Sequence, residues 1–157
     1  MGISEERQKL KELDDRAKRL DLTVRALKAE EKALEGQIAA DTGGLAGLLA
    51  LAELGEADHA AVDALWQEIR RKKLRRNEIP LAVSGLQTME KTNHQERVRT
   101  QKHVWRYEAA EDYQKALTTI REAGWSRELE EDLRASAHEL GKVKEAEEII
   151  RESTIQT

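Results

Sequence analysis

The chain has 157 residues, enough for one domain with a modest core or for an elongated bundle, and it carries a net charge of −4. Its 37% charged residues, against about 25% in an ordinary globular chain, together with one Pro and no run of alternating β-branched residues, exclude a sheet-based fold and predict an all-α protein. It has no Cys, which excludes disulfides, thiolate catalysis and Cys-ligated zinc or iron–sulfur sites.

The first predicted element begins at Ile3, where apolar residues recur at alternating intervals of three and four. With Ile3 at heptad position a, the a positions are Ile3, Leu10, Ala17, Val24, Glu31 and Ile38, and the d positions are Glu6, Leu13, Leu20, Leu27 and Leu34. This is the spacing of a coiled-coil seam. The candidate helix-interface residues are therefore Leu10, Leu13, Leu20, Val24, Leu27 and Leu34. Glu6 and Glu31 interrupt the ends of the seam, and a carboxylate there is costly unless it finds a cation. The pairs that would flank a parallel dimer are mixed. Lys9–Asp14 and Arg16–Asp21 attract, Thr23–Lys28 is neutral and Glu30–Glu35 repels. That permits a parallel homodimer, while a short connection after a long helix favours an antiparallel return within the chain.

The helix is expected to end near Ala40, with Asp41-Thr42-Gly43-Gly44 as the stop. Leu45 to Leu54 follows as a short, nearly uncharged helix closed by Gly55. At ten residues it is too short to span a bilayer, which needs about 20. The N-terminus reads as charged helix rather than a secretory leader. Met1-Gly2 also misses the myristoylation pattern, because Glu6 stands where Ser or Thr is wanted. A cytoplasmic protein without membrane contact is expected.

Asp58 is placed to cap a return helix through Val62, Leu65 and Ile69, whose register then lands on Lys72 and Arg76. Pro80 predicts a kink or break over Asn77 to Pro80. From Leu81 to about Ala123 a further long helix is expected, polar and exposed or partner-held from Glu90 to Lys102. Gly124 ends it, and Ser126 caps a final amphipathic helix carrying Leu129, Leu133, Leu140, Val143 and Ile150. The expected architecture is thus an elongated coiled-coil helical hairpin or bundle. Residues 1–79 would hold the heptad helix, the apolar segment and the return helix, and residues 80–157 the C-terminal helices, as two units or one continuous domain.

Charge is partitioned along the chain. The net is −5 over Met1 to Leu65, +7 over Trp66 to Arg106 and −6 over Tyr107 to Thr157. Within the basic centre, Arg70, Arg71, Lys72, Lys73, Arg75 and Arg76 surround a helix, and Arg99, Lys102, His103 and Arg106 share one face beside Trp105 and Tyr107. Cations that track a backbone and rings that stack on bases suit nucleic acid. The competing reading is that acidic arms of this or a neighbouring subunit neutralise the centre. The tryptophans at 66, 105 and 125 are expected to anchor a core, with an interface role as the alternative.

No catalytic motif, Gly-rich phosphate loop or metal-ligand set is present, so neither enzyme activity nor a cofactor is expected. The function expected is that of a structural, scaffolding or adaptor protein meeting other helices, including copies of itself, in a larger assembly. The alternative is a helical nucleic-acid-binding subunit using residues 66–106. Neither reading involves a small-molecule substrate.

Overall fold

A computed structural model describes residues 2–124 and 126–155, apart from the side chains at 123 and 153–155. Among these residues the chain is all-helical: α1 (Ile3–Glu53), α2 (His59–Ala123), α3 (Arg127–Leu140) and α4 (Val143–Ile155). It divides into two compact units, one of Asp15–His94 and one of Met1–Asp14 with Gln95–Thr157.

The three–four count from Ile3 runs the whole length of α1. Each of the expected a and d residues is buried or half-buried, and the count continues inward through Asp41, Leu45, Leu48 and Ala52. Elsewhere on the helix only Asp14 and Glu30 are shielded, and both make ion pairs with α2. The expected stop near Ala40 is overturned, because α1 passes through Gly43 and Gly44. A Gly inside a helix costs about 1 kcal/mol against Ala. Burial of Leu45, with Leu48 beside it, against Val62, Leu65 and Ile69 returns about 1.5–3 kcal/mol per large side chain, so packing wins. The segment Leu45 to Leu54 is accordingly not a separate helix. Most of it forms the last turns of α1, with Leu49, Leu51 and Leu54 exposed.

The true stop is Gly55. Its φ of 76° is open to glycine, its N–H donates to the Ala52 carbonyl at 3.0 Å, and the Glu56 N–H donates to the Leu51 carbonyl at 2.9 Å. Asp58 then caps α2 as expected, its Oδ1 accepting from the Ala60 N–H at 3.1 Å.

In the Asp15–His94 unit the count along α2 goes Val62, Leu65, Ile69, Lys72, Arg76, Ile79, Val83, Leu86, Glu90 and Asn93, each buried or half-buried. Leu45, Ala52, Val62 and Ile69 form one apolar cluster; Val24, Ile79 and Val83 form another, flanked by Leu27, Leu34 and Leu86. Of the kink or break expected over 77–80, the break does not occur, since α2 is one helix with Pro80 inside it. A helical Pro costs about 3 kcal/mol through a lost hydrogen bond and a clash. Here Pro80 itself is exposed. The adjoining Ile79, at 0% exposure, anchors the turn in the core.

In the other unit, α2 packs with α3 and α4 around Tyr113, Ala116, Leu133, Ala137, Ala146 and Ile150. Burial, with Glu145 nearby as a lesser cause, raises the Tyr113 phenol above its ordinary value of 10.0. Ser126 caps α3 as expected, accepting from the Leu129 N–H at 3.3 Å. The single final helix is corrected to two. Gly141 takes a φ of 68°, its N–H donates to His138 at 3.2 Å and the Lys142 N–H donates to Ala137 at 2.8 Å, which closes α3 and lets α4 fold back. Arg134 on α3 then bridges Glu147 on α4 at 2.8 Å. In the polar stretch from Glu90 to Lys102, most residues are exposed as expected, but Asn93 and Thr100 are buried.

The passage of α2 through Pro80 yields a paired prediction. Ile79→Ala should cost about 2–5 kcal/mol in urea melts, whereas Leu81→Ala, two residues on and 76% exposed, should cost less than about 0.5 kcal/mol. Equal costs would mean that the register is lost at Pro80.

Candidate functional site

The candidate helix-interface residues all face inward. Leu13, Leu20 and Val24 are buried, and Leu10, Leu27 and Leu34 are half-buried. Their shielding is supplied within the chain.

Three of the six cations in the basic run of α2 are likewise engaged within the Asp15–His94 unit. Arg71 holds Glu68 one turn back, at 2.6 Å. Lys72, in the seam and 14% exposed at its side chain, meets Asp41 of α1 at 2.6 Å. Arg75 grips Glu30 of α1 with two parallel bonds, from Nε at 2.8 Å and Nη2 at 3.0 Å. The Arg75 hydrogen bonds, reinforced by its charge, hold the Glu30 carboxyl below its ordinary value of 4.5, and Arg71 does the same for Glu68. Arg76 is half-buried at a seam position, and Arg70 and Lys73 are exposed. Neutralisation by the acidic N-terminal arm thus occurs within one chain for Lys72 and Arg75.

The second basic set belongs to the other unit and stands differently. Arg99, Lys102, His103, Trp105 and Arg106, with Glu139 of α3, line an open groove of about 430 Å³. Arg99, Lys102 and Arg106 are exposed. Trp105 is 54% exposed and Trp66 is also exposed, so neither is the core anchor that was expected. An aromatic plane in water is available for contact, which the core reading missed because tryptophan identity alone does not reveal its position on the helix. Trp125 lies outside the described residues. A second cavity of about 450 Å³, lined by Glu6, His103, Arg106, Tyr107 and Ala110, shares its His103 and Arg106 wall with the first. Glu6 is 6% exposed, and among the described residues its Oε2 is buried without a hydrogen-bond partner. Its Oε1 lies 3.6 Å from His103 Nδ1, too far for a hydrogen bond.

A feature not anticipated from sequence lies on the opposite side of α1 from its seam. Leu22, Ala26, Ala29, Ala33, Gly36, Ala40, Gly43, Gly47, Ala50 and Leu54 repeat at intervals of four and three, and every one is exposed. None is charged. A Cβ added at Gly36, Gly43 or Gly47 would meet nothing within 4 Å, so no contact within the chain requires glycine there. The signal was present as a run of uncharged outward positions in a highly charged helix, but Ala and Gly contribute little to a hydrophobic pattern.

Among the described residues no three His, Asp or Glu stand together as a metal site, and no helix is long and apolar enough to cross a membrane. No family model matches the chain, and neither a curated protein nor a solved structure was found that is similar to it.

The ion pairs carry two predictions. Lys72→Met leaves a half-buried Asp41 without its cation and should cost about 1–3 kcal/mol, whereas Asp41→Leu with Lys72→Met should regain most of that loss, as read by urea melts. Glu30 has a depressed folded pKa, so its stabilising share is present above 4.5 and disappears as pH falls through the lower folded value. Thermal melts should therefore show the difference between wild type and Arg75→Met shrinking below pH 4.5. A difference that grows on acidification would reverse the sign.

Proposed function

We propose that this protein is a structural component, a scaffold or adaptor, that works through helix–helix contacts in a larger assembly. In this reading α1 and α2 of the Asp15–His94 unit form an antiparallel coiled-coil hairpin, and the outer face of α1 receives another helix. The single observation that carries it is the exposed, uncharged heptad repeat from Leu22 to Leu54. Each interior Gly of that face costs α1 about 1 kcal/mol, and the small side chains let a second backbone approach closely. The face is about 50 Å long at 1.5 Å per residue.

The order of sizes on this face supports a second copy as the occupant. Read in reverse, it still runs from one Leu, through Ala and Gly, to another Leu. An antiparallel, two-fold pairing centred near residue 38 sets Leu22 beside Leu54 of the other copy and the glycines and alanines between them. The same pairing brings Lys18 and Arg25 towards Glu56 and Glu53, so opposite charges meet at both ends.

Sedimentation equilibrium tests this reading. The wild type should self-associate at micromolar concentration. The double change Ala33→Glu with Ala40→Glu should give monomer that keeps its helix content and a cooperative circular dichroism melt, lower than wild type only by the stability that pairing adds, because both sites are exposed in one chain. A wild type that stays monomeric at high micromolar concentration would defeat self-pairing.

A further inference from the structure

The two cavities that share His103 and Arg106 carry an inference independent of the helix–helix reading, since they lie in the unit of Met1–Asp14 with Gln95–Thr157. One is lined by cations around an exposed indole. The other is lined by Glu6, whose Oε2 is buried with no donor among the described residues. A buried charged acceptor left unsatisfied is costly, and a ligand that supplies an N–H recovers that cost on binding. The ligand must therefore present a donor to Glu6, an anion to the shared wall and a flat ring to Trp105.

We propose that this surface binds single-stranded nucleic acid and takes one dinucleotide step with a preference for guanine. The first base enters the cavity of Glu6, Tyr107 and Ala110, where the carboxylate accepts from the base edge. Guanine presents N1–H and N2–H side by side, a match for a carboxylate, whereas uracil presents one N–H between two carbonyls that a carboxylate repels. The linking phosphate lies at His103 and Arg106. The second base stacks on Trp105, and the phosphate beyond it meets Arg99 and Lys102. Glu139 also lines the groove and opposes the phosphates, leaving three exposed cations against one carboxylate. The basic run at residues 70–76 takes no part, because its central cations are held by carboxylates of the chain.

Fluorescence anisotropy on the full chain tests this with labelled (UG)6, U12 and the DNA strand d(TG)6, plus a polyaspartate peptide as a competitor. The wild type should bind (UG)6 at least tenfold tighter than U12, with a log–log salt slope of about −1.4 for the two phosphates contacted. Weaker binding of d(TG)6 would mark RNA as the ligand, and equal binding would mark any single strand; either supports the proposal. Glu6→Gln should cut the preference for guanine about tenfold, and Trp105→Ala should weaken both RNAs by about 5- to 150-fold. Arg106→Gln should weaken both, and Arg71→Gln neither, with circular dichroism confirming that all four variants are folded. The proposal is overturned by no binding at 50 μM protein in 50 mM salt. It is also overturned by a guanine preference that survives Glu6→Gln, or by polyaspartate displacing (UG)6 at equal residue concentration, which would assign the face to an acidic protein.

Discussion

Burial at every third and fourth residue is the constraint on which the rest depends. Along α1 it holds from Ile3 to Ala52 without a skipped position, and along α2 it holds from Val62 to Asn93. Because the count never slips, each polar residue that falls on it must be accommodated rather than turned outward. Lys72 is accommodated by Asp41, and Glu6 is left with one oxygen unsatisfied among the described residues. The same count carries α1 through two adjacent glycines and α2 through a proline. In each case a local cost of about 1–3 kcal/mol is smaller than the burial lost if the helix stopped there.

Much of this was legible in the sequence. The heptad spacing located the buried face of α1, and Asp58, Gly124 and Ser126 marked helix ends through capping chemistry that acts over only a few residues. Where local signals competed with packing, they misled. Gly43 and Gly44 resemble a stop, yet Leu45 and Ala52 pack beyond them against Val62 and Ile69. Pro80 resembles a break, yet Ile79 is fully buried beside it. Gly141 acted as a true cap because α4 folds back to bury Ala146 and Ile150 against Leu133. Neither of the first two outcomes can be read without knowing what lies across the seam.

Charge followed the same division. Composition revealed a basic centre between acidic arms, but only side-chain geometry separates its two halves. The cations at 71, 72 and 75 are held by carboxylates of the chain, while those at 99, 102 and 106 face water beside an exposed indole. A basic run therefore reported on intrachain pairing in one unit and on an available surface in the other. The glycine- and alanine-rich outer face of α1 was illegible for a different reason, since small residues serve equally as helix filler and as the floor of a close helix contact.

The central claim, that this outer face pairs with a second copy, is tested most directly by pulsed electron paramagnetic resonance on a chain that has no native Cys. Nitroxides on Gln37→Cys and Thr23→Cys flank the face, the first beside the proposed two-fold axis and the second about fifteen residues from it. Antiparallel pairing predicts a distance of about 20 Å or less at position 37 and about 40 Å or more at position 23, from a rise of 1.5 Å per residue on both helices. Equal short distances at both sites would mean parallel pairing, and the absence of dipolar coupling at both would contradict self-pairing of α1 altogether.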